Sequence, residues 1–130
     1  MKRMTRQRQA ILDGFKTSHR PLSVEEILKI AGTVVPQLNL ATVYRNLKLL
    51  VEEGMIAAVD LPGNNTRYEC VGLKHHHHFL CHDCNRLFDV DGCPEGISLL
   101  VPKGFKLTNH AITLSGYCGD CLSKNKLSIR

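Results

Sequence analysis

No apolar run in this chain approaches the roughly 18 residues that a membrane-spanning helix needs, and nothing at its start resembles a signal peptide. The expectation is a cytoplasmic protein with no membrane partner, in a reducing compartment. A second shortage is local. Residues 1–60 contain no cysteine and a single histidine, His19, whereas the remainder holds all six cysteines and the other six histidines. That shift predicts two modules within 130 residues: a domain over 1–70, a hinge at 71–74 ("VGLK") and a second domain over 75–130. Acidic residues are also in deficit, 12 against 17 Lys and Arg, and the resulting charge of +5 favours an acidic partner.

What is present in the first module reads as helix. In "MTRQRQAILDGFKTS", Thr5 can cap a helix whose Ala10, Ile11 and Phe15 recur at helical spacing, with Arg3, Arg6 and Arg8 at its start. Ser23 and Glu26 have the spacing of a capping box, and the short helix that follows uses Ile27, Leu28 and Ala31 before Gly32 ends it. In "NLATVYRNLKLLVEEG", Asn39 caps, Gly54 stops, and Leu40, Val43, Leu47, Leu50 and Val51 form an apolar face. The opposite face presents Ala41, Thr42, Arg45 and Lys48, with Tyr44 at its margin.

Two strands, "MIAAVDL" and "TRYEC", follow around "PGNN", a turn with hairpin residues. Three helices and then a hairpin is the order of a winged helix-turn-helix, whose last helix enters the major groove while basic groups hold phosphates. A small helical bundle with a solvated charged face is the competing reading.

The second module is built on "HHHHFLCHDC", residues 75–84. Cys81/Cys84 and Cys118/Cys121 are two C-x-x-C pairs, leaving Cys70 and Cys93 over. Without a secretory signal such pairs read as thiolates gripping zinc in a closed, structural tetrahedron, against the alternative of a redox dithiol. The intervening residues 85–117 must fold back, with a brief helix within 92–103 and a strand over "FKLTNHAITLSGYC". The histidine run leads into an apolar pair without a helix-starting signal, so an extended strand is expected. Strand alternation then sets His76 and His78 on one side and His75 and His77 on the other. Each pair is half of a metal site, with Glu69, Asp89, Asp91, Glu95 and His110 within reach in sequence. A solvated histidine loop and a relic of a purification tag are the bland alternatives.

Taken in order, "TRQRQAIL", "LSVEEIL", "LATVYRNL", "EEGMI", "RYE", "HHHHFLCHDC" and "GFKLTNHAITLSGYCGDC" make the chain resemble the ferric uptake regulator superfamily over nearly its whole length. That resemblance implies an α+β fold, an N-terminal winged helix-turn-helix followed by a small α/β dimerisation domain with a four-cysteine zinc site. It implies a homodimer on a double-stranded, palindromic DNA operator, a metal-dependent repressor and not an enzyme. The structural zinc ligands would be Cys81, Cys84, Cys118 and Cys121, and the regulatory ligands Glu69, His76, His78 and Asp89. An auxiliary site would use His75, His77 and His110, with Glu95 as a further ligand. DNA contacts would fall to Arg3, Arg8, Thr42, Tyr44 and Arg45.

This sequence also departs from the family pattern. Only four residues precede Thr5, where the family usually has a further helix. Pro21 stands where a histidine normally joins the regulatory site; the alternatives are that His19, two residues upstream, substitutes for it, or that the coupling is weaker or different. Asp89 replaces the glutamate common in iron sensors and matches peroxide sensors, while Glu69 keeps the iron-sensor spacing; His77 replaces a common aspartate. The expected signal is Fe(II); peroxide read through Fe(II) or Mn(II), and zinc, are the alternatives. A zinc-binding interaction module or small hydrolase without DNA is the rival from another class.

Overall fold

A computed structural model describes residues 4–61, 65–72 and 74–124, and the chain divides into two compact units before Lys74. The first unit opens with helix α1 (Arg6–Ser18), whose N-cap Thr5 accepts the Arg8 N–H at 3.1 Å. Helix α2 (Val24–Gly32) starts on the capping box: Ser23 Oγ accepts the Glu26 N–H at 3.1 Å while Glu26 Oε1 accepts the Ser23 N–H at 2.9 Å. Helix α3 (Leu40–Glu52) is capped by Asn39, whose Oδ1 accepts the Thr42 N–H at 2.9 Å. Each cap satisfies a backbone donor that the first helical turn leaves orphaned.

The three helices pack through Ala10, Ile11, Leu12, Phe15, Leu22, Val24, Ile27, Ala31, Val35, Leu38, Val43, Leu47, Leu50 and Ile56, all buried. On α3 the buried face is narrower in apolar residues than the sequence suggests: Leu40 and Val51 are exposed, and Thr42 and Asn46 are buried in their stead. Strands β1 (Ile56–Leu61) and β2 (Asn65–Cys70) pair antiparallel from Ile56↔Cys70 to Leu61↔Asn65, forming the wing; its tip, residues 62–64, lies outside the described residues. Leu22 exchanges both backbone hydrogen bonds with Tyr68, each 2.9 Å, adding a one-residue third rung that ties the α1–α2 link to the wing.

The second unit holds a three-stranded sheet in the order β4-β3-β5, from β3 (His76–Cys81), β4 (Leu87–Asp91) and β5 (Thr113–Gly116). Central β3 runs antiparallel to β4 and parallel to β5. A 3₁₀ turn (Ile97–Leu100) and a short helix α4 (Gly119–Lys124) complete it. Its buried cluster is cysteine: Cys81, Cys118 and Cys121, with Cys84 and Phe88 against them. The strand expected over residues 105–118 is limited to Thr113–Gly116, because pairing with β3 begins only at His78↔Thr113. Among the described residues no helix is long and apolar enough to cross a membrane.

Candidate metal centres and nucleic-acid interface

Cys81 ends β3, and the chain reverses at once through Asn85 (φ +63°), whose N–H returns to the Cys81 carbonyl at 3.0 Å. That reversal brings Cys84 beside Cys81, and Cys118 and Cys121 arrive at the start of α4. The Cys81 and Cys121 sulfurs are 3.7 Å apart, and those of Cys84 and Cys118 3.8 Å. A tetrahedron with zinc–sulfur bonds of about 2.3 Å has edges of about 3.8 Å, so these sulfurs match a closed zinc site. All four cysteines are free thiols rather than disulfides.

The surroundings favour thiolates. Burial pushes the Cys81 thiol up, but N–H groups of Cys118, Cys84 and Asp83 outweigh it and bring its pKa down to about 6. Burial also opposes ionisation of Cys84, and the Arg86 guanidinium overcomes it, donating from Nε to the sulfur at 3.1 Å. Arg86 Nη2 reaches the Cys118 sulfur at 3.7 Å and Asp120 at 3.3 Å, so one cation braces both knuckles. Cys121 moves the other way, pushed up by burial and by the neighbouring sulfurs.

On β3 the histidines alternate, and the register with β4 decides their company. Antiparallel partners share a face. His78 lies opposite Asp89, so Asp89 joins His76 and His78: His76 Nε2 is 3.4 Å and His78 Nε2 3.6 Å from Asp89 Oδ1. His76 Nδ1 donates to the Lys74 carbonyl at 2.7 Å, which leaves the Nε2 lone pair aimed at Asp89. An imidazole whose far nitrogen is held by a carbonyl is oriented for metal ligation. Glu69 is half-buried on β2 of the first unit, opposite Ala57. His19 is exposed at the C-cap of α1 with φ +56°, and Pro21 is buried beside the Leu22 rung.

The other face of β3 departs from expectation. His75, His77 and His110 do gather, with His75 Nε2 and His110 Nε2 3.2 Å apart, but the fourth member is Cys93 and not Glu95. The Cys93 sulfur is 3.0 Å from His110 Nε2 and 3.4 Å from His77 Nε2. Glu95 is exposed and contributes no atom to the group. The reason is the turn after β4: Asp91 pairs with His76, and the chain bends at Gly92 (φ +95°), so the next residue is delivered to the His75/His77 side. Desolvation and the neighbouring His75 and His110 hold His77 below the usual imidazole range. The other leftover cysteine, Cys70, packs against the first unit's core.

On the first unit, Tyr44 and Arg45 are exposed on α3, and the Thr42 hydroxyl accepts from Arg45 Nη2 at 3.2 Å. Arg8 departs from its expected place among the DNA-contacting groups. It is buried, and its Nε donates to Asn46 Oδ1 at 3.1 Å while Asn46 Nδ2 donates to the Thr42 carbonyl at 2.9 Å. A guanidinium needs a hydrogen-bond partner when buried, and here the partner lies on α3, so Arg8 braces that helix from within. Arg6 remains exposed and donates from Nη2 to the Val34 carbonyl at 2.9 Å. Arg3 lies outside the described residues.

Comparison with known proteins agrees with this architecture. Residues 1–115 match the Ferric uptake regulator family. The Ferric uptake regulation protein of Campylobacter jejuni is 34% identical over 122 residues, covering 90% of this chain and 78% of that protein. A solved structure of a zinc-bound manganese uptake regulator superposes with a TM-score of 0.78 at 30% identity, covering 90% of this chain and 91% of the other. A zinc uptake regulator in complex with zinc and DNA aligns with a TM-score of 0.58 at 26% identity, over 95% of this chain and 86% of that one. The winged-helix order, the four-cysteine knuckles and the match over residues 1–115 lead to one conclusion: this chain belongs to the ferric uptake regulator family.

Proposed function

We propose that this protein is a homodimeric, metal-activated DNA-binding repressor that responds to Fe(II). The observation that carries the reading is the His76, His78 and Asp89 trio on one face of β3 and β4, in a chain whose other unit exposes Tyr44 and Arg45 from a winged helix. Two imidazoles with a carboxylate suit Fe(II) or Mn(II), and a second carboxylate strengthens that preference. Glu69, on the far side of the division between units, is the proposed second carboxylate, with His19 as a further ligand in place of the histidine lost at Pro21. These residues would hold the cation, whose charge would draw the imidazole and carboxylate donors together. Residues 71–74 act as the hinge, where Val71 and Gly72 are exposed and Gly72 has φ +85°.

The coupling is a differential affinity. The proposed ligands His76, His78, Asp89 and Glu69 would bind the cation better in one conformation of the protein than in others, and that preference would be all the free energy available to bias DNA binding. Tyr44 and Arg45 then read base edges, with Thr42 steadying the Arg45 guanidinium. Exposed Leu99, Leu100, Phe105 and Leu114 supply apolar surface for a second copy. With two copies, two α3 helices meet half-sites of a palindrome.

Duplex affinity measured against salt and metal tests the proposal. Binding should appear with Fe(II) or Mn(II) and fall steeply as salt rises, and Arg45→Ala should weaken the cognate site by about 1–3 kcal/mol, more than random DNA. Failure to bind any duplex with any divalent ion would return the chain to the class of zinc modules. Asp89 favours a second reading, peroxide sensing. Peroxide treatment of the Fe(II)-loaded protein would then add one oxygen to the peptide spanning residues 75–84, and an unchanged mass removes that reading.

A further inference from the structure

A chain of hydrogen bonds links the interior of the first unit to its exposed recognition surface. Arg8 Nε donates to Asn46 Oδ1 at 3.1 Å, Asn46 Nδ2 donates to the Thr42 carbonyl at 2.9 Å, and Arg45 Nη2 donates to the Thr42 hydroxyl at 3.2 Å. Arg8 is 8% exposed and Asn46 5%, too little for either to meet a duplex, whereas Arg45 is exposed. We propose that Arg8 and Asn46 are positioning residues for base recognition: they set the orientation of the Arg45 guanidinium, and with it the discrimination of one DNA sequence from another, without touching DNA. The inference rests on the proposed reading of base edges by Arg45.

The chemistry of the buried pair fixes its direction. A guanidinium has donors only and stays charged, so the side of the Asn46 amide that faces Arg8 must be the oxygen. The amide nitrogen is thereby turned to the Thr42 carbonyl, which in an α-helix also accepts the backbone N–H of residue 46. Held by two donors, residue 42 is anchored in the first turn of α3. Its β-branched side chain has few rotamers, and its hydroxyl meets Arg45 three residues on, a spacing at which helical side chains are neighbours.

Stability alone does not account for the pair. A buried charge and its partner can often be replaced by apolar residues of similar volume without loss of stability, and the surrounding core is aliphatic and aromatic. What an apolar pair cannot do is hold an amide donor against the Thr42 carbonyl. Base reading by arginine depends on such orientation, because the guanidinium must present two donors in plane to one base edge. Phosphate contacts position the protein and carry no sequence information. A loosened Arg45 therefore keeps its charge near the backbone and loses the base.

The test compares full-length wild type with Arg8→Met/Asn46→Leu, which fills the space without polar groups, and with Asn46→Asp, which keeps an acceptor for Arg8 but has no donor for the Thr42 carbonyl. The probes are the duplex that wild type selects from a random library in Mn(II) and a scrambled duplex of the same composition. In both variants the ratio of selected to scrambled affinity should fall about tenfold or more, the weight of one bidentate base contact. Affinity for the scrambled duplex and its salt dependence should stay at wild-type values. The order parameter of the Arg45 Nε–H group, measured by NMR without DNA, should fall as well. A merely structural role would move the melting temperature and leave the ratio intact, so a wild-type ratio in either variant would overturn the proposal. If wild type selects no duplex, the proposed function fails, and an Arg45 order parameter unchanged in the variants then overturns the positioning role separately.

Discussion

The two units are held together by different chemistry. The first buries a continuous set of aliphatic and aromatic side chains from α1, α2, α3 and β1, and its helix starts are capped by Thr5, Ser23 and Asn39. Among its described residues the second buries little that is apolar beyond Leu87 and its cysteines, while Leu99, Leu100 and Phe105 stand exposed. Small folds that cannot bury enough apolar area depend on a staple, and a structural metal is one. The contrast is between a unit stabilised by apolar burial and a unit whose buried cluster is the four-cysteine group, to which the proposed function assigns DNA reading and metal response respectively.

The largest expected effect breaks that contrast from the second unit's side. Cys81→Ser, or stripping zinc with a strong chelator, should unfold residues 76–124 while α1–α3 persist, because structural zinc supplies apparent free energies on the order of 10 kcal/mol. Hydrogen exchange reads the two units separately, and protection lost equally in both would refute the division. From the other side, Leu47→Ala removes a side chain 1% exposed at the centre of the first core and should cost about 3 kcal/mol. Chemical denaturation should show this loss with zinc stoichiometry unchanged.

Smaller effects sharpen the comparison. Arg86→Ala takes away the guanidinium that donates to the Cys84 sulfur and reaches Cys118, and should weaken structural zinc about 10- to 100-fold in a competition titration. Ser23→Ala removes the α2 capping box and should lower the first unit's stability by about 1 kcal/mol, with metal affinity untouched.

The contrast also explains what the sequence made legible. Caps and helical periodicity are local, so Thr5, the Ser23/Glu26 box, Asn39 and the α1 core positions could be read directly, as could the alternation that splits His75–His78 into two pairs. Cys93 could not. Its place depends on the β3–β4 register, in which Asp91 meets His76, and on the bend at Gly92; counted along the chain, Glu95 is an equally near candidate. A hairpin alignment of residues 76–81 with 87–91 was the signal that could have found it. Arg8 misleads for a different reason: a charged residue beside other arginines reads as exposed, whereas its partner Asn46 lies far along the chain on α3. The strand expected across residues 105–118 was too long because propensity does not reveal where a pairing partner ends.

The central claim, that one unit senses and the other reads DNA, is tested most directly by measuring operator affinity with and without Fe(II) for wild type, Asp89→Ala and Arg45→Ala, each verified to retain its structural zinc. The account predicts that Fe(II) strengthens wild-type binding, that Asp89→Ala keeps only the weak metal-independent affinity, and that Arg45→Ala binds poorly in both conditions. An Asp89→Ala protein showing the full wild-type gain on Fe(II) addition would contradict it.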